Sequence, residues 1–161
     1  MAAAARLLVV APTGRELGGL DPGDNRDCRA AVTGVGHEAA PAFTALLDAE
    51  LPSAVLSLGF AGGLRPGLSA GASVLCDVAL AEGAAPIELG PYPAADALRA
   101  AGIAAASGAL LTVEEPLLTP EAKRAAHAAT GAAVVDMEGY ALARIAGERD
   151  ILIVMLRAVL D

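Results

Sequence analysis

The chain has 161 residues, enough for one domain that buries roughly 70% of the surface its unfolded form exposes and too few for two full domains. Apolar residues make up 55% but aromatics only 2%, with no Trp, so the core must be built from Ala, Val, Leu and Ile, which suits helices layered on strands. A formal charge of −8 and a pI near 4.7 argue against a nucleic-acid-binding surface, which needs clustered Lys and Arg against phosphates.

The opening MAAAARLLVVAPTG has the outline of a signal peptide, but its apolar run is short, is interrupted by Arg6 and passes directly into patterned sequence. No stretch approaches the ~18 consecutive apolar residues of a membrane span. RLLVVAPT (6–13) is a compact apolar run ended by Pro12, as expected of a strand buried on both faces. GRELGGL has too many glycines for a helix, and GLDPGDNRD (19–27) is a turn-rich surface loop. CRAAVTGVG (28–36) predicts a second strand closing on glycines, and HEAAPAFTALLDAEL (37–51) a helix with Pro41 in its first turn.

SAVLSLGFAGGL (53–64) predicts a strand running into a glycine-rich turn, GASVLCDVALAEG (71–83) another strand, and PAADALRAAGI (93–103) a short helix. ASGALLTVEEPLL (106–118) is a strand and loop. In TPEAKRAAHAATG (119–131), Thr119 is an N-cap, Pro120 fits the first helical position, Glu121 sits in the first turn and Gly131 ends the helix. The remainder predicts strand AAVVDM, helix EGYALARIAGERD and strand ILIVMLRAVL. Strands alternating with helices imply an α/β fold with a mostly parallel or mixed central sheet. No linker or fixed repeat divides the chain, so residues 1–161 are expected to form one domain.

Several stretches carry candidate chemistry. Gly59, Gly62 and Gly63 follow a buried strand, with Phe60 and Ala61 between them; such glycines permit positive φ and close backbone approach, either in a plain turn or against a ligand. The pattern is neither G-x-G-x-x-G nor a Walker loop. In VTGVGHEAA (32–40), Thr33 supplies a hydroxyl near a helix N-terminus, and His37 reads as a surface or capping residue. In VVDMEGYALA, Asp136 and Glu138 have two readings. As helix-terminal acids, each is replaceable at about 1 kcal/mol; alternatively, Glu138 accepts hydrogen bonds from vicinal sugar hydroxyls. In MLRAVLD, an extended chain puts Arg157 and Asp161 on one face, facing either a pocket or each other. Cys28 and Cys76 lack metal-ligand spacing and read as reduced thiols of a cytoplasmic protein.

TGVGHEAA, LSLGFAGGLRPGLSAGASVLCD, VVDMEGYALARIA and LRAVLD together resemble, in order and approximate spacing, the nucleoside phosphorylase and nucleosidase superfamily. The likeness is closest to its methylthioadenosine/S-adenosylhomocysteine nucleosidase-like branch. It implies a three-layer αβα fold with a central mixed sheet, and cleavage of the N-glycosidic bond of a purine-type nucleoside. Glu138 would bind the ribose hydroxyls with Met137 packed near the sugar, and Asp161 would protonate or hydrogen-bond N7 of the leaving base. Arg157 would help to hold the nucleophile, and Glu16 would orient an attacking water. Gly59, Phe60, Ala61, Gly62 and Thr33 would complete the substrate site. The resemblance implies no metal or organic cofactor, a small-molecule nucleoside as partner, and a homo-oligomer. Inorganic phosphate would be a co-substrate in a phosphorylase; the nucleosidase-like TGVGHEAA turn favours water, while Arg15, Arg157, Thr33 and the glycine amides leave phosphorolysis open. Members continue beyond the position of Asp161, so a fold truncated at its C-terminal part is expected, with a catalytically silent nucleoside-binding homologue as the alternative function.

Overall fold

The computed structural model describes residues 7–23, 25–89 and 93–161; Arg6 and the leader-like residues before it lie outside the described residues. The strands are β1 (Leu7–Ala11), β2 (Cys28–Val32), β3 (Ala54–Gly63), β4 (Ser73–Ala81), β5 (Ile87–Glu88), β6 (Ala105–Thr112), β7 (Val134–Asp136) and β8 (Leu152–Val159). The helices are α1 (Ala39–Ala49), α2 (Pro93–Ala100), α3 (Pro120–Thr130) and α4 (Gly139–Gly147). Each expected element is present, and the short β5 is an addition that no sequence pattern announced. Among the described residues no helix is long and apolar enough to cross a membrane.

All eight strands join one mixed sheet, ordered β2-β1-β3-β7-β6-β4-β5, with β8 pairing both β3 and β4. The pairs β3–β8, β8–β4, β4–β6, β6–β7 and β7–β3 close a circuit, so this part of the sheet curls into a ring. β3 is central to it. Its first eight residues run parallel to β8, and its last two turn to pair antiparallel with β7.

Apolar side chains fill both sides of the strands. Successive strand residues point to opposite faces, so Leu110 and Val134 enter the main core with Phe43 and Leu47 of α1 and Leu142 of α4. Their neighbours Leu111 and Val135 enter a second cluster, against which Ala126 of α3 packs. α3 is fixed by local chemistry: Thr119 Oγ1 accepts the Ala122 N–H at 3.1 Å, and Gly131 takes the left-handed conformation at φ 71°.

One expectation is corrected. Gly59, Gly62 and Gly63 form no turn; they lie within β3, and none has positive φ. Pairing with β8 and then β7 keeps this segment extended. Gly62 and Gly63 serve close packing instead: a Cβ at Gly62 would sit 3.1 Å from Val135 Cγ1 and one at Gly63 3.0 Å from the Asp161 carbonyl oxygen.

Candidate active site

The carboxyl ends of β1, β3, β7 and β8 converge on a cavity of about 390 Å³, bordered by Glu16, Phe60, Met137, Glu138, Leu160 and Asp161, among others. Strand carboxyl ends are the usual place for a ligand in α/β folds, because the following loops can vary while the sheet holds them rigidly. Here the segments after β1, β7 and β8 each deliver a carboxylate, and the end of β3 contributes Phe60, Ala61 and Gly62.

Glu138 follows β7 and is only 6% exposed. Its Oε1 accepts the Gly36 N–H at 2.7 Å. Gly36 has φ 59°, a conformation that suits glycine, and this sets the direction of the N–H. Burial pushes the Glu138 carboxyl above its ordinary value, and the neighbouring Asp136 adds to the shift; the Gly36 N–H and Arg157 oppose it. Glu138 makes no side-chain capping bond to α4; its carboxyl is bonded to Gly36 instead.

Glu16 stands in the turns after β1. Its Oε1 accepts the Phe60 N–H at 2.9 Å and its Oε2 accepts the Thr13 hydroxyl at 2.8 Å. Asp161 lies beyond the end of β8, where its backbone carbonyl accepts the Gly63 N–H at 2.7 Å. Its Oδ1 pairs with Lys123 Nζ at 2.7 Å.

Asp136 is buried and does more than cap a helix. It accepts the Gly139 N–H at the start of α4, the Thr112 hydroxyl at 2.8 Å and Arg157 Nε at 3.1 Å. The Thr112 hydroxyl in turn accepts the Tyr140 N–H at 2.8 Å. This network fixes where β7 ends and α4 begins, and Glu138 lies between them. Gly139 belongs to the same device, because a Cβ there would overlap Leu110 Cδ2 and come 2.8 Å from Asp136 Oδ2.

The other expected site residues divide clearly. Phe60, Ala61, Gly62 and Met137 border the cavity. Arg157 does not: it is 2% exposed, and besides Asp136 it donates to the Ser57 carbonyl at 2.9 Å and to Ser57 Oγ at 3.2 Å. It shares the buried face of β8 with Ile153, Met155 and Val159, away from the exposed Asp161. Gly59 lies over Arg157 and Glu16 rather than on the cavity wall, with room for a Cβ 3.5 Å from Arg157 Nε and from Glu16 Oε1. Thr33 is buried, and its hydroxyl donates to the Ala11 carbonyl at 3.3 Å. A buried polar side chain must find partners; Arg157 finds them along the sheet and Thr33, just past β2, at the end of β1.

Sequence reading missed Lys123, Thr112 and the backbone of Gly36. Lys123 and Thr112 had no motif to mark them; Gly36 lay in the quoted TGVG turn and carried a signal. Met137 and Val113 also border an adjoining open hollow of about 1280 Å³, where His37 and Tyr140 lie. Among the described residues no group of three or more His, Cys, Asp or Glu is arranged to hold a metal ion.

The family model described as the phosphorylase superfamily matches residues 24–161. The fold is similar to futalosine hydrolase of Helicobacter pylori, with a TM-score of 0.86 and 17% identity over 99% of this chain and 88% of that one. It is also similar to the 5′-methylthioadenosine/S-adenosyl homocysteine nucleosidase of Campylobacter jejuni, with a TM-score of 0.85 and 15% identity over 98% of this chain and 86% of that one. The nucleosidase of the same name from H. pylori gives 0.83 and 17%, over 96% and 88%. No match was found among curated proteins.

Proposed function

Because this chain belongs to the phosphorylase superfamily, we propose that it cleaves the N-glycosidic bond of a purine-type nucleoside, with water as the acceptor. The observation that carries this reading is that, besides the Asp136 committed to Arg157, three carboxylates border one cavity, Glu16, Glu138 and Asp161, each held by a different donor. Breaking the bond generates oxocarbenium character on the sugar, so the site must hold the sugar, balance positive charge and neutralise the departing base.

Each task has a group. One oxygen of Glu138 is occupied by Gly36, which leaves the other to accept hydrogen bonds from the vicinal hydroxyls. As the C1′–N bond breaks, its electron pair passes to the base and Asp161 delivers a proton to N7. Water adds at C1′ and gives its proton to Glu16, whose carboxylate the Phe60 N–H and the Thr13 hydroxyl hold in place. Met137 packs against the sugar. The chemistry needs no metal or organic cofactor.

An acidic cavity favours water over phosphate. The guanidinium of Arg157 is committed to Asp136 and Ser57, and the hydroxyl of Thr33 to Ala11, so neither is turned toward an anion in the cavity. The test is to incubate the protein with adenosine, inosine and methylthioadenosine, with and without phosphate, and identify the sugar product. Free sugar supports hydrolysis, and sugar 1-phosphate formed only with phosphate overturns it in favour of phosphorolysis. The protein also works as a homo-oligomer in this reading; light scattering after size exclusion giving the mass of one chain would count against that.

A further inference from the structure

We propose that Lys123 is a positioning residue for Asp161, an inference that rests on the hydrolytic reading above. Its Nζ lies 2.7 Å from Asp161 Oδ1 and 3.4 Å from the Asp161 carbonyl oxygen. Exposed ion pairs are common and contribute little, but Lys123 is not an ordinary surface lysine. Its side chain is 16% exposed, while that of Arg124, the next residue on α3, is 67% exposed and pairs within its own helix.

Two further features support the assignment. Lys123 is one turn before Ala126, which packs into the second apolar cluster, so the two share the inward face of α3. The Thr119 cap fixes the start of that helix and therefore the direction of its first turn. Lys123 and Asp161 also meet over a bare position of β3. A Cβ on Gly62 would lie 3.4 Å from Asp161 Oδ1 and 3.6 Å from Lys123 Cε. The cavity thus gains a cation without admitting one to its wall, where Glu16, Asp136, Glu138 and Asp161 all stand.

The role follows from the charge change in the reaction. Asp161, exposed to solvent, takes up a proton on Oδ2 before the step, gives it to N7 of the base as the C1′–N bond breaks, and returns to the carboxylate that pairs with Lys123. The ammonium already faces Oδ1, so it stabilises that charge as it forms and needs no reorganisation, while Oδ2 is left to address the base. Lys123 touches neither base nor sugar.

The test measures kcat and KM for base release by the wild type, Lys123→Met, Lys123→Gln and Lys123→Arg, with Asp161→Asn alone and combined with Lys123→Met. In Lys123→Met and Lys123→Gln, kcat falls roughly tenfold to hundredfold, less than the ~10²–10⁴ that a positioned acid contributes, and KM changes little. Lys123→Arg recovers most of kcat. Asp161→Asn is as slow alone as in the combination, because the lysine acts only through the aspartate. Wild-type kcat in both neutral variants, an arginine variant as slow as they are, or additive losses would each overturn the proposal. No base release by the folded wild type would overturn the functional reading, and this assignment with it.

Discussion

Replacing Arg157 by Met keeps most of the buried stem but removes its charge. The guanidinium is 2% exposed and reaches Asp136 Oδ2 at 3.1 Å, the Ser57 carbonyl at 2.9 Å, Ser57 Oγ at 3.2 Å and the Leu156 carbonyl at 3.2 Å. In the variant the Asp136 carboxylate remains buried, with only Thr112 and the Gly139 N–H to satisfy it. Breaking such a pair from one side costs about 3–5 kcal/mol, out of a total stability of roughly 5–15 kcal/mol. In urea the midpoint should fall by about 2 M, taking a slope near 2 kcal/mol/M. Asp136→Asn in the same chain removes the stranded charge and should recover most of the loss. The reasoning is refuted if Arg157→Met unfolds at the wild-type midpoint, or if the double variant is no more stable than the single one. A fully stable but inactive Arg157→Met would instead restore the role of holding the nucleophile.

Other consequences can be checked separately. Glu138→Gln keeps the oxygen that accepts the Gly36 N–H but removes a carboxyl that burial pushes above its ordinary value. The folded state therefore holds this proton more tightly than the unfolded state, and the favourable contribution is lost as pH rises from about 4.5 through the raised value. The variant should match the wild type in stability below that window and exceed it above, as thermal unfolding across pH will show. Gly139→Ala should destabilise by about 1–3 kcal/mol through overpacking, whereas Gly59→Ala, whose Cβ meets only ordinary contacts at 3.5 Å, should cost no more than about 1 kcal/mol by urea unfolding. Burial pushes the Cys76 thiol up to about 12, so at pH 8 iodoacetamide should modify it only after unfolding, as mass spectrometry will report.

The sequence made the elements legible because their signals are local. Thr119, Pro120 and Gly131 bracket α3 without help from the rest of the chain. The carboxylates were legible through motifs, and they do border one cavity. What remained hidden depends on pairing between distant strands. The glycines of LGFAGG suggested a turn because glycine is a turn residue, yet β8 and β7 together hold them in β3. Arg157 resembled a ligand-binding residue because strand alternation placed it on one face with Asp161 and the family likeness gave it the nucleophile. Its partner Asp136 is 21 residues away in sequence, and only the folded sheet brings the two together. Lys123 and Asp161, 38 residues apart, met for the same reason and carried no joint pattern.

The central claim is that Glu138 and Asp161 form the working parts of one nucleoside-cleaving site, and base release in phosphate-free buffer tests it most directly. Wild type, Glu138→Gln and Asp161→Asn would be compared on the same purine nucleosides, with folding verified by circular dichroism. The account predicts free base from the wild type and a loss of about a hundredfold or more in each variant. No release from the folded wild type, or undiminished release from both variants, would contradict it.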